Sequence, residues 1–280
     1  MKYTLQNNEF RLSALTCGAE LTGFQCVKDG YEYIWQKCEI WQGQAPLLFP
    51  IVGKLKDDAL ILDGKTYHMP KHGFARKAEF ALESISAEDM TFVLTESERT
   101  LANYPFPFTL KVRYELMKNG FVMEHRVINT GKTPMYFSLG AHPAFKIALG
   151  DKVVMDANET VKAWRLGPEM VIVPEQTDVF RGGRELTVNR DTFADDALIF
   201  EKPASRGCTV TKADGRNVHV DFGGAPCVGM WAKPGADYVC IEPWYGLDDK
   251  WNAAGGFEQK PHVQRLEAGK EFLFRVKITV

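Results

Sequence analysis

"TLKVRYELMKNGFVMEHRV", residues 109–127, alternates apolar and polar side chains on both sides of a turn. Leu110, Val112, Tyr114 and Leu116 fall on one face, and Thr109, Lys111, Arg113 and Glu115 on the other. Successive side chains of an extended chain point to opposite faces, so this period of two describes strands with one buried face. Asn119-Gly120 is a turn signal between the two runs and predicts a β-hairpin with those residues at its tip.

The same period recurs elsewhere. "NVHVDF" (217–222) sets Val218, Val220 and Phe222 against Asn217, His219 and Asp221, and "FLFRVKITV" (272–280) repeats the pattern. Turn signals such as "LDG", "KNG", "ADG" and "GGAP" lie between such runs. Helical signal is confined to "SERTLANYPF" (97–106), one short helix capped by Ser97 and stopped before Pro105. No stretch has linker composition and no fixed repeat occurs. The expectation is an all-β chain, one domain over residues 1–280, with many antiparallel strands packed as a sandwich.

Composition excludes several classes of function. Of 280 residues, 45% are hydrophobic and 25% charged, as in a globular protein with a large core. A net charge of −2 gives no electrostatic argument for nucleic acid or an anionic membrane as partner. No apolar run is long enough to span a bilayer, and the N-terminal stretch lacks the apolar segment of a signal peptide. The six cysteines show no C-x-x-C spacing. In a chain of this size they read as reduced thiols, and the expected location is cytoplasmic.

Some apparent motifs fail on their own terms. "NTGKTP" contains the end of a phosphate-binding loop, but its first glycine would fall at Arg126, so the stretch reads as a hairpin turn. His68 and His72 are four apart, yet Pro70 lies between them and no Glu follows the first His, which argues against a helical zinc site. Neither G-x-G-x-x-G nor G-x-S-x-G occurs.

Four stretches remain. "LLFPIVGKLKD" (47–57) ends an apolar run with Gly53-Lys54, and "MPKHGFAR" (69–76) sets His72 and Arg76 around a glycine and Phe74. "GAHPAF" (140–145) carries His142, and "YVCIEPWYG" (238–246) drives Glu242 into an apolar strand before Pro243 and Trp244. Singly, each is accounted for by packing: a hydrogen-bonded core histidine, a glutamate paired with a structural cation, a core tryptophan. Together, two His, one Glu, two cations and a Trp stand where apolar strands meet tight turns, which is where a sandwich presents a site.

"LFPIVGKL", "HGFAR", "GAHPAF" and "IEPW", in this order and spacing, resemble the aldose 1-epimerase (galactose mutarotase-like) family, and most closely its LacX-like branch. The resemblance runs from the first strand to "LEAGKEF". It implies a large twisted antiparallel β-sandwich with few short helices. It also implies interconversion of the α and β anomers of a free aldohexose, with neither metal nor organic cofactor. By the same resemblance His142 is the acid and Glu242 the base, and His72 holds the sugar near its ring oxygen. Lys54 stands where the family often has Arg, so a cation is kept and the bidentate fork is lost. An Asp on sugar hydroxyls would be Asp195 or Asp196, with Asp196 favoured.

The chemistry suits these residues. A base takes the proton of the anomeric hydroxyl while an acid protonates the ring oxygen; the aldehyde rotates and the two groups act in reverse. This requires Glu242 ionised and His142 protonated at the outset. The expected geometry sets the two on opposite sides of a cleft with room for a pyranose between them, and reads Gly140 and Ala141 as space for substrate. Trp244 and Phe74 offer flat faces to the C–H face of a sugar, or are core, the favoured reading for Phe74. Arg76 binds substrate or braces its loop. With Lys54 it keeps a hexose 6-phosphate open as substrate, as in epimerase relatives that act on phosphorylated hexoses. A non-catalytic sugar-binding or sensing domain on the same scaffold is the third reading. The sequence does not fix an oligomeric state.

Overall fold

A computed structural model describes all residues, 1–280. Nearly every element is a β-strand, and every pairing between strands is antiparallel. A nine-stranded sheet has the quoted hairpin near one side, with Phe108–Met117 beside Gly120–Asn129, which in turn pairs with the C-terminal strand Glu271–Thr279. A seven-stranded sheet contains Tyr238–Tyr245 paired with Cys227–Trp231 on one side and with the short strands Leu139–Gly140 and Ala144–Lys146 on the other. Three strands from Lys2 to Cys26 form a smaller sheet.

The alternation read from the sequence is the burial observed. Leu110, Val112, Tyr114 and Leu116 are buried, as are Val218, Val220, Phe222, Phe274, Val276 and Ile278. One contiguous core of 65 buried residues draws on both large sheets, joining Val112 and Val276 to Val228 and Ile241. Side chains fill the space between the two sheets and exclude water, which is the main stabilising contribution in such an architecture.

The helical stretch behaves as read, reduced to one turn. Glu98–Leu101 starts after Ser97, whose hydroxyl accepts from the Thr100 N–H, while the Thr100 hydroxyl accepts from the Ser97 N–H.

Two turns differ from expectation. Met117 pairs with Gly120, so the hairpin loop is Lys118-Asn119 and not Asn119-Gly120. Gly120 is needed for another reason: a Cβ there would lie 2.0 Å from the Ile278 carbonyl oxygen of the adjacent strand. The glycine serves close backbone approach rather than turn handedness. "NTGK" is a turn but not a hairpin, because the strand after it, Met135–Phe137, pairs with Gln264–Leu266 instead of its predecessor. The Asn129 side chain accepts from the Gly131 N–H and donates to Thr133 and Leu266 carbonyls, which folds the turn without strand pairing.

Candidate functional site

A register argument places the central pair. Gly140 pairs with Trp244 and Ala144 with Cys240, both across the same strand. Continuing that register through the unpaired residues 141–143 sets His142 opposite Glu242. Two backbone bonds hold the segment down, Ala141 N–H to the Pro243 carbonyl (3.1 Å) and Ile241 N–H to the Pro143 carbonyl (3.2 Å). Side chains directly opposite in an antiparallel pair are close neighbours, and His142 Nε2 lies 3.1 Å from Glu242 Oε2. The pair therefore shares one wall of the site. The expectation of a sugar-sized gap between the two is not met, because cross-strand neighbours leave no such gap.

Both groups line a cavity of about 610 Å³. His72, Arg76, Asp196 and Trp244 line it too, whereas Asp195 and Lys54 do not. Lys54 is the clearest departure from the sequence reading: its ammonium is paired with Asp58 at 2.5 Å, off the cavity wall. The Lys54 backbone N–H donates to Asp248 Oδ1 (2.7 Å), and its carbonyl accepts from the Asp249 N–H (2.8 Å).

The stretch around Lys54 works as a scaffold. Leu48 and Gly140 exchange two backbone bonds of 3.0 Å, and the Phe49 carbonyl accepts from the Phe74 and Ala75 N–H groups. The chain from Leu48 to Lys54 thus ties "GAHPAF", "HGFAR" and the loop after "IEPW" together. Gly53 and Gly73 permit these contacts: both have positive φ, and a Cβ would fall 2.2 Å from Asp248 or 2.3 Å from the Phe49 carbonyl oxygen.

His72 is fixed in one tautomer. The Gly53 N–H donates to its Nδ1 at 3.0 Å, so the neutral ring carries its proton on Nε2. Burial drives its pKa well below the usual histidine range, which keeps the ring neutral and makes it a hydrogen-bond donor. The His142 ring is boxed by three others: Trp41 stacks at 5.5 Å, while Trp231 and His72 meet it edge-on at 5.9 and 5.8 Å. Burial pushes His142 down to about 3 and raises Glu242 well above the usual carboxylate range, with the Lys71 charge opposing the rise. Both directions disfavour charge on the pair, against the ionised Glu242 and protonated His142 expected from sequence.

Other assignments shift as well. Gly140 makes room for Trp244, since a Cβ there would lie 2.6 Å from the indole, and Gly229 on the neighbouring strand does the same at 2.6 Å. Ala141 is core. Neither residue is space for substrate. Trp244 itself is only 2% exposed and packs in a small cluster with Leu48, Val52 and Ile199. The flat, half-exposed faces of the cavity come from Trp41 and Trp231. Phe74 packs against Phe49, Tyr104 and Phe108, away from the cavity. Arg76 braces its loop by donating to the Lys71 carbonyl (2.8 Å) while also lining the cavity.

Lys71 and Asp248 line the cavity, and sequence reading missed both. The signal for Lys71 was its place beside His72; Asp248 had none, because a loop brings it in. Burial raises the Asp248 carboxyl to about 6. Seven buried side-chain nitrogen or oxygen atoms find no hydrogen-bond partner in the protein, and four belong to cavity-lining residues: Arg76 Nε, His142 Nδ1, Glu242 Oε2 and Trp244 Nε1. Buried polar groups are normally satisfied, so this concentration sets the cavity wall apart from the rest of the core. Cys240, on the same strand face as Glu242, brings a sulfur into the group: its Sγ, a His142 ring nitrogen and a Glu242 oxygen all lie within 4.8 Å of one another.

The family model described as aldose 1-epimerase matches residues 1–279. Two Lactococcus lactis proteins named LacX, one plasmid-borne and one chromosomal, are each 32% identical over 95% of both chains. Among solved structures, a galactose mutarotase related enzyme from Lactobacillus acidophilus is 33% identical, with a TM-score of 0.92 over 100% of this chain and 97% of that one. A galactose mutarotase-like protein from Lactobacillus casei is 27% identical, also with a TM-score of 0.92, over 100% and 99%.

Proposed function

Since the chain belongs to the aldose 1-epimerase family, we propose that it interconverts the α and β anomers of a free aldohexose, with His142 as acid and Glu242 as base. The observation that carries this reading is the His142–Glu242 pair, 3.1 Å apart on the wall of a sugar-sized cavity. The ring oxygen and the anomeric hydroxyl oxygen of an aldose are attached to one carbon. Two adjacent groups on one wall therefore suit that O–C–O edge better than two groups facing each other across the ring.

Ring opening discharges the pair. Opening starts from imidazolium and carboxylate: Glu242 takes the anomeric hydroxyl proton, and His142 gives its proton to the ring oxygen as the C–O bond breaks. The open-chain aldehyde then stands beside a neutral carboxylic acid and a neutral imidazole. That is the state burial favours, since it pushes His142 down and Glu242 up. Lys71 holds the carboxylate form within reach. After rotation of the aldehyde the same transfers run backward and close the ring on the other face. No net proton is consumed.

The remaining residues bind. His72 Nε2–H donates to a sugar oxygen near the ring, Asp196 accepts from a hydroxyl, and the Arg76 guanidinium donates to another. Trp41 and Trp231 cover the apolar C–H surfaces of the pyranose.

The test is anomer exchange followed by NMR or polarimetry with glucose, galactose and glucose 6-phosphate. Acceleration with a free aldohexose is expected. Acceleration confined to the phosphate ester would move the substrate class to phosphorylated hexoses. Binding with no acceleration for any of the three would remove the enzyme reading in favour of a sugar-binding domain.

A further inference from the structure

We propose that His142, Cys240 and Glu242 form a binding site for a thiophilic divalent cation, with Zn²⁺ as its type, and that its occupation switches off the sugar chemistry assigned above. The inhibitory half rests on that reading; the binding half does not.

Three facts carry the site. Ligand atoms of all three residues lie within 4.8 Å of one another, and all three side chains are buried. The 3.1 Å between His142 Nε2 and Glu242 Oε2 is close to the edge of a zinc tetrahedron, about 3.3 Å for bonds of about 2.0–2.1 Å. Glu242 Oε2 is buried without a hydrogen-bond partner, so one candidate ligand atom is committed to nothing else.

The donor set selects the ion. A thiolate, an imidazole and a carboxylate favour zinc and its soft relatives over magnesium or calcium, which seek all-oxygen shells. One thiolate and one carboxylate also neutralise a divalent ion, leaving an uncharged centre in a place that resists charge. Coordination expels the thiol proton, and any proton held between His142 and Glu242, to solvent. Three protein ligands leave a fourth position for water or a sugar hydroxyl. Glu20, Asp196 and Asp248 stand among Lys71, Arg76, Lys77 and Lys233 around the cavity, and the ion draws Glu242 and the Cys240 thiol into their charged forms as it binds. A bound ion takes the imidazole nitrogen and the carboxylate oxygen that would exchange protons with sugar.

The experiment measures binding directly. The metal-free protein is titrated with Zn²⁺ by calorimetry, and with Co²⁺ while the thiolate-to-cobalt absorption is recorded. One Zn²⁺ per chain is expected, with the cobalt–thiolate band present in the unmodified protein and affinity lowered at least about tenfold in both Cys240→Ser and Cys240→Ala. Absence of the cobalt–thiolate band, or unchanged affinity in a folded Cys240 variant, overturns the site. Anomer exchange is then followed with chelator and with Zn²⁺. Inhibition of the unmodified protein, relieved by chelator and lost in the Cys240 variants relative to their own zinc-free rates, is expected. Saturable Cys240-dependent binding without inhibition overturns the switch. No exchange in chelator with any sugar counts against the epimerase reading and leaves the binding result standing.

Discussion

Gly53 and His72 exchange two hydrogen bonds: the Gly53 N–H donates to His72 Nδ1 at 3.0 Å, and the His72 N–H donates to the Gly53 carbonyl at 2.7 Å. The exchange fixes the tautomer of the ring and anchors its loop to the segment that also holds Gly140 and Asp248. His72→Ala therefore removes the proposed substrate contact and orphans a buried N–H together. Expected are a KM raised on the order of tenfold, from a lost hydrogen bond worth about 1–1.5 kcal/mol, and a lower melting temperature. Steady-state kinetics and a thermal melt check both; an unchanged KM would remove His72 from the binding set.

Glu242→Gln keeps the shape of the side chain and deletes its proton-accepting role. Anomer exchange should fall by ~10²–10⁴-fold while sugar binding measured by calorimetry persists. His142→Asn should do the same. Near-normal exchange in either variant would break the acid–base assignment.

Lys54 and Lys71 separate two readings of the cation in the site. Lys54 is held by Asp58, whereas Lys71 lines the cavity with Glu242 and its charge opposes the rise in the Glu242 pKa. Lys54→Met is expected to leave kcat and KM within about twofold, since its ammonium is turned to Asp58 and does not line the cavity. Lys71→Met is expected to lower kcat/KM at least about tenfold, since the cation opposes the burial penalty on the carboxylate. The reverse order of effects would reinstate Lys54 as the functional cation.

His125 predicts an acid limit on stability. It is buried against Phe274, away from the cavity, and burial lowers its pKa from 6.5 to about 4, with Glu124 opposing slightly. Between those values the unfolded chain binds a proton that the folded chain does not, so stability rises with pH across that window and is lost as pH falls through it. At about 1.4 kcal/mol per unit, the contribution reaches about 3 kcal/mol. His125→Leu should flatten the slope of unfolding free energy against pH between 4 and 6.5, measured by denaturant titration; an unaltered slope would place the acid sensitivity elsewhere.

Gly229→Ala tests the seating of Trp244. A methyl there meets the indole at 2.6 Å, and the opposite side is closed by Gly140. Overpacking of this kind costs about 1–3 kcal/mol, so a lower melting temperature and an altered tryptophan signal in near-ultraviolet circular dichroism are expected.

The strands and the one α-helical turn were legible because each is written locally, whereas His142 and Glu242 stood out only as part of a set of motifs and not as neighbours. Alternation at Leu110 to Leu116 reports a buried face, and "GAHPAF" and "IEPW" each set a polar group in an apolar frame. What escaped depends on distance in the chain. Trp41, Trp231 and Asp248 reach the cavity from loops and strand ends whose neighbours carry no periodic signal. Lys54 misled because its identity announced a cation while its direction was decided by Asp58, four residues on. Gly120 and Gly140 misled in the same way: a glycine shows that space is needed but not whether a turn, a substrate, a carbonyl or an indole fills it.

The meeting of His142 with Glu242 is set by counting rather than by shape. Three residues separate Gly140 from Ala144, and three separate Cys240 from Trp244, between two fixed points of one ladder. Side-chain exchanges inside that window leave the tally intact. Adding or deleting one residue would flip the imidazole to the other face of the sheet or slide it past its partner, and no compensating substitution could restore it. Changes of length, not of letters, are what this pairing forbids.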